Sequence, residues 1–107
     1  MAIYKSVIEM IGDTPMLELT NFDTGPCRLL LKLESQNPGG SIKDRIGLSM
    51  IEAAESNSDI APGGTIIEAT AGNTGLGLAL VAAQEGYKML VIVPDKMSQE
   101  KIFHLNA

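Results

Sequence analysis

The chain has 107 residues, 45% of them hydrophobic, and thirteen acidic against eight basic residues leave a formal net charge of −5. That length is one domain or part of one, and the scattered basic residues, of which only Lys43 and Arg45 lie close together, argue against nucleic acid or an anionic membrane as partner. A single cysteine, Cys27, and a single histidine, His104, exclude an internal disulfide and a His/Cys metal cluster, and they speak against a Ser-His-Asp triad. The lone cysteine and the lack of a basic-then-apolar leader suggest a reduced, cytoplasmic setting. No apolar run approaches the roughly 20 residues of a membrane span.

In chain order, residues 6–11 predict a short helix stopped by Gly12, and Gly12-Asp13-Thr14-Pro15 predicts a turn. Residues 16–19 read as a short strand, 21–26 as a loop, and 28–33 (Arg-Leu-Leu-Leu-Lys-Leu) as a buried strand. From Ser41 the period becomes helical: Ile42, Ile46, Met50 and Ala53/Ala54 predict an apolar helix face running to about Ser56. Residues 57–64 form a connection, 65–70 a strand, 71–75 a tight loop, and 76–85 a helix apolar on nearly all sides, ended by Gly86. Residues 88–93 read as a further strand stopped by Pro94, and Ser98 opens a last helix.

This order gives an α/β chain with two consecutive βαβ units, which implies a three-stranded parallel sheet with right-handed crossovers. Such a sheet is small for a free-standing domain, and the last helix carries no stop signal before Ala107. The expectation is the front portion of a larger protein, incomplete at its C-terminus.

Two glycine-bearing loops carry the chemistry. The first is Asn37-Pro38-Gly39-Gly40-Ser41-Ile42-Lys43-Asp44-Arg45. Ser41 reads as an N-cap, and Asp44 three residues on completes a capping-box pattern. Lys43 then falls in the first turn, at the positive end of the helix dipole. A cation is disfavoured there, which suits an amine that has to act as a nucleophile.

The second loop is Thr70-Ala71-Gly72-Asn73-Thr74-Gly75 at the end of the 65–70 strand. Backbone N–H groups at such a strand-to-helix turn suit a carboxylate or phosphate. Gly72, Gly75 and Gly77 fit neither the dinucleotide fingerprint nor a Walker A loop. Spacing alone therefore reaches a small-molecule anion site with a lysine beside it, formed by two loops on one sheet edge. Tight packing turns, with Lys43 a solvated surface lysine, are the plainer alternative.

The first loop closely resembles the cofactor-lysine motif of the cysteine synthase and cystathionine β-synthase family, pyridoxal-phosphate enzymes of fold type II. The resemblance extends in register through Ile11-Gly12-Asp13-Thr14-Pro15, Ala71-Gly72-Asn73-Thr74-Gly75 and the 94–101 stretch. It implies that Lys43 bonds the aldehyde of pyridoxal 5′-phosphate and then takes the substrate Cα proton. Asn73 would hydrogen-bond the cofactor 3′-oxygen. Thr70, Ala71, Gly72, Asn73 and Thr74 would form the substrate-carboxylate loop.

The family places Ser where this chain has Ala71, one hydroxyl donor fewer, a loss of roughly 1.5–3 kcal/mol for a bond to a charged group. The family's phosphate loop lies well beyond position 107. The implied division is an N-terminal segment, 1–35, that packs partly with a large domain, and a partial small domain, 36–107, that carries the lysine.

The implied activity is β-replacement on serine or O-acetylserine. Residues 44–52 and 96–101 resemble cystathionine β-synthases more than O-acetylserine sulfhydrylases, and the full-length protein is expected to be a homodimer. The alternatives of another class are a non-catalytic fragment and an anion-binding α/β module.

Overall fold

A computed structural model describes residues 1–69 and 72–93. The expected final helix from Ser98 and the 94–101 motif lie outside the described residues, as do Thr70 and Ala71. A 3-10 turn at Ile8–Met10 takes the place of the expected 6–11 helix. It leads into a turn in which Gly12 and Asp13 both have positive φ, 88° and 47°. Glycine adopts that conformation freely, and aspartate is among the few other residues that tolerate it.

Strand β1 (Met16–Leu19) pairs antiparallel with β2 (Leu29–Lys32), Met16 opposite Lys32 and Leu19 opposite Leu29. The ribbon is tied at its loop end by a bidentate Arg28–Glu18 pair at 2.8 and 3.3 Å. Two sequence expectations fail here. The 28–33 run is not a buried strand, because Leu29, Leu30 and Leu31 are each about 40% exposed. Nor does β2 join a parallel sheet with β3. After Leu33 the chain turns through a second 3-10 segment, Glu34–Gln36, and β2 has already taken β1 as its partner.

Helix α1 (Lys43–Ser56) follows, then β3 (Thr65–Ala69), α2 (Asn73–Glu85) and β4 (Lys88–Ile92). β3 and β4 pair in parallel, Thr65 opposite Lys88 and Ala69 opposite Ile92. One βαβ unit is thus realised rather than two, and the parallel sheet has two strands rather than three among the described residues.

α2 is the centre of the core. Leu78, Val81 and Ala82 are buried on it, Ile51 reaches them from α1, and Ile66 and Met89 reach them from the sheet. Ile8 and Ile11 pack against the same cluster from the N-terminal segment. Gly86 ends α2 in the left-handed region (φ 79°), as its position past the last apolar residue predicts, and Tyr87 N–H closes on the Ala82 carbonyl at 2.9 Å. The Tyr87 hydroxyl then donates to Glu55 Oε2 at 2.7 Å, which pins the end of α2 to the end of α1. The carboxylate holds that phenol above its ordinary range.

The face that α1 buries differs from the periodic one. Ile42, Ile46 and Met50 are 50%, 38% and 47% exposed, whereas Asp44, Gly47 and Ile51 are buried. The reason is the crossing with α2, which passes through two glycines. A Cβ on Gly47 would stand 2.6 Å from the Gly77 carbonyl carbon, and one on Gly77 would stand 2.4 Å from the Lys43 carbonyl oxygen. Only glycine at both positions lets the two backbones come this close, and the closest face is the one the helix buries.

Candidate functional site

The glycine crossing places the first turn of α1 on the first half of α2. The Lys43 backbone lies against Gly77, and Asn73 begins α2 four residues earlier. At 1.5 Å per residue, Asn73 is about 6 Å further along the axis. The first turn of α1 and the first half of α2 therefore meet through helix packing rather than along a shared sheet edge, because β2 and β3 belong to different sheets. Lys43 is half-buried, Gly72 is buried, Thr74 is half-buried and Asn73 is exposed. Thr70 and Ala71, two of the expected carboxylate-loop residues, lie outside the described residues.

The start of α1 is built differently from a capping box. Ser41 Oγ accepts the Lys43 N–H at 3.1 Å, and Asp44 N–H and Arg45 N–H close back on the Ser41 and Ile42 carbonyls. The Asp44 carboxyl does not reach back to Ser41. Its Oδ2 accepts the Gly39 N–H, so the acid closes a loop over the glycine pair. A Cβ on Gly39 would meet Asp44 Oδ1 at 2.3 Å, which makes glycine a requirement there. Asp44 is 1% exposed, and burial pushes its carboxyl upward from the usual range, opposed by the Gly39 bond.

A polar network ties this loop to the opening turn of the chain. Arg45 Nε and Nη2 bond the Glu34 carboxylate at 2.8 and 3.1 Å. Thr14 Oγ1 donates to Glu34 Oε1 and accepts from Arg45 Nη2 at 3.3 Å. Asn37 Nδ2 donates to the Glu34 carbonyl and to its Oε2, while Asn37 Oδ1 accepts the Gly12 N–H at 2.8 Å. Thr14 and Asn37 are buried. The Arg45 guanidinium foremost, then the Thr14 hydroxyl, hold the Glu34 carboxyl down at about 2.

Sequence reasoning missed Glu34 and the clamp role of Asp44. The available signal was an acid just after a strand with an arginine eleven residues on, across a loop holding Pro38 and two glycines. Such a spacing carries no fixed geometry. Thr14 and Asn37 stood inside quoted motifs, but nothing in the sequence paired them.

No group of three or more His, Cys, Asp or Glu side chains that could hold a metal occurs among the described residues. No helix among the described residues is long and apolar enough to cross a membrane. The donor set is a primary amine, a side-chain amide and a helix N-terminus. It fits a ligand that pairs a carbonyl with anionic groups.

The fold is an α/β unit in which the first turn of α1, carrying Lys43, packs on the first half of α2. A family profile described as pyridoxal-phosphate dependent enzyme matches residues 7–107, and the chain belongs to that family. A cystathionine beta-synthase of Oryctolagus cuniculus is 49% identical over 108 residues, spanning 98% of this chain and 20% of the relative. A cysteine synthase of Staphylococcus aureus is 52% identical over 97 residues, spanning 90% of this chain and 31% of the relative. The structure of a hydrogen sulfide-producing enzyme from Fusobacterium nucleatum superposes with a TM-score of 0.93 at 47% identity, over 98% of this chain and 35% of that one. The chain thus spans between a fifth and about a third of these proteins. The expected family, α/β fold class and cofactor type are those found.

Proposed function

We propose that the full-length protein carrying this chain is a pyridoxal-phosphate-dependent β-replacement enzyme acting on serine or O-acetylserine, and that Lys43 is its cofactor lysine. The observation that carries the reading is the contact of the Lys43 backbone with Gly77, one turn of α2 from Asn73. It supports the reading by bringing the Lys43 backbone against the first half of α2 in a chain of this family. When bound, the cofactor supplies the electron sink for chemistry at the amino-acid Cα and Cβ.

The chain's own residues have separable tasks. Lys43 Nζ would bond the cofactor aldehyde and, once displaced by the amino-acid substrate, take the Cα proton at that same nitrogen. Asn73 would donate its side-chain amide to the ring oxygen. The start of α2, with Thr70, Ala71, Gly72, Asn73 and Thr74, would hold the substrate carboxylate through backbone N–H groups and hydroxyls, which the positive end of the helix dipole favours. Residues 1–35 would pack partly with a large domain, and 36–107 would form part of the small one.

Identities of 49% and 52% do not separate the two named kinds of relative. β-Replacement is the common reading. The 44–52 and 96–101 stretches favour a cystathionine β-synthase-like acceptor, with sulfide as the runner-up and a homodimer as the assembly.

The test is covalent. Full-length protein incubated with pyridoxal phosphate and reduced with borohydride should yield a pyridoxyl adduct on the peptide containing Lys43. The adduct should vanish in Lys43→Ala. Adduct on other lysines only would overturn the assignment.

A further inference from the structure

The Asp44 carboxyl is the least explained group in the molecule. It is 1% exposed, yet among the described residues only Oδ2 has a partner, the Gly39 N–H, while the buried Oδ1 has none. A buried carboxyl oxygen calls for a structural account, and the geometry around Asp44 gives one.

What the carboxyl does is local and geometric. It bonds the backbone five residues upstream and closes residues 39–44 into a ring. Gly40 N–H to the Asn37 carbonyl (2.8 Å) and Lys43 N–H to Ser41 Oγ (3.1 Å) brace the same ring. Lys43 is then fixed from three directions: its N–H by Ser41, its carbonyl by Gly77, and its successor by Gly39. The helix would still start without the acid, because Asp44 N–H and Arg45 N–H close on Ser41 and Ile42 on their own.

We propose that Asp44 is a positioning residue for Lys43: by clamping Gly39 to the first turn of α1 it fixes the direction in which the Lys43 side chain leaves the helix. The consequence for the cofactor bond rests on the reading of Lys43 given above, whereas the clamp itself does not.

The experiment uses the full-length protein and compares Asp44→Ala, Asp44→Asn and Gly39→Ala. Asparagine keeps an acceptor for the Gly39 N–H. Alanine at 44 removes it, and alanine at 39 drives a Cβ into Oδ1. The first readout is made without cofactor. Trace acetylation measures the reactivity of Lys43 relative to Lys88 in the same folded sample. The ratio should change at least threefold in Asp44→Ala and Gly39→Ala, stay within twofold in Asp44→Asn, and change no further in the Asp44→Ala/Gly39→Ala double variant.

The second readout is the rate of the borohydride-trapped adduct on Lys43. It should fall at least tenfold in Asp44→Ala and stay within threefold in Asp44→Asn. A loss of stability alone would move neither quantity per folded molecule. The clamp is overturned if the acetylation ratio in Asp44→Ala or Gly39→Ala stays within twofold of wild type, or if Asp44→Asn changes it as much as Asp44→Ala. Should wild type form no adduct on Lys43, the functional reading fails while the acetylation ratio still decides the clamp. If Asp44→Ala does not fold, Gly39→Ala and Asp44→Asn give the same contrast.

Discussion

The carbonyl oxygen of Lys43 faces the α-carbon of Gly77 with no room for a methyl group between them, since a Cβ there would stand 2.4 Å from the oxygen. One contact between backbones joins the residue proposed for chemistry with the helix proposed for binding. Both partners are main-chain atoms, so neither can yield by changing a rotamer. Whatever separates α1 from α2 moves Lys43 relative to Asn73.

Gly77→Ala should therefore destabilise the full-length protein even though alanine is the better helix former. The propensity gain is about 1 kcal/mol, and overpacking costs about 1–3 kcal/mol, at the upper end where the obstacle is backbone. The expected net loss is about 2 kcal/mol in urea unfolding. Gly47→Ala meets the Gly77 carbonyl carbon at 2.6 Å and should behave alike. Because one separation of the helices relieves both clashes, the double variant should lose less than the sum of the two.

The Glu34–Arg45 pair gives a pH signature of defined sign. Glu34 is held at about 2 in the fold against an ordinary value of 4.5, chiefly by Arg45. A depressed folded value means a contribution fully present above about 4.5 and lost as pH falls toward 2. Glu34→Gln should lower the melting temperature at pH 7, and its gap from wild type should close as the pH is taken from 4.5 toward 2. A gap independent of pH would show that the carboxylate contributes by packing alone.

Asp44 should give the opposite sign. Burial raises its folded value above the ordinary 3.8, so ionisation favours the unfolded chain as pH climbs past that point. Asp44→Asn removes the titration and keeps an acceptor for Gly39. Its stability relative to wild type should improve from pH 3 upward, read as the difference in melting temperature across that range. A flat difference would place the carboxyl in contact with solvent or with a cation.

How much of this was legible depended on whether a residue's role was local. The bounds of β1, the turn at Gly12–Pro15 and the stop at Gly86 follow from short-range chemistry and stand as read. The partner of β2 did not, because a Leu-Leu-Leu run has the composition of a buried strand whether or not a layer covers it. The buried face of α1 was misread for a sharper reason. Ile42, Ile46 and Met50 dominate the periodicity, while Gly47, which sets the contact, has no side chain to register in it. At the site, Lys43 and the start of α2 were each visible as motifs. Their meeting depends on Gly47 and Gly77, thirty residues apart.

The outer face of the β3–β4 sheet supplies a prediction that contrasts two lengths of the protein. Ile67, Leu90 and Ile92 alternate with the core-facing Ile66 and Met89 and are 62%, 53% and 56% exposed. Parallel sheets are covered on both faces as a rule, and the relatives matched here are about three to five times as long. Leu90→Lys should therefore cost little in the isolated 107-residue chain and should reduce its self-association in sedimentation, since the leucine there is already half in water. In the full-length protein the same substitution should cost about 1.5–3 kcal/mol, the value of a buried leucine side chain, before any penalty for the charge. Equal costs in the two lengths would mean that nothing in the longer chain covers this face.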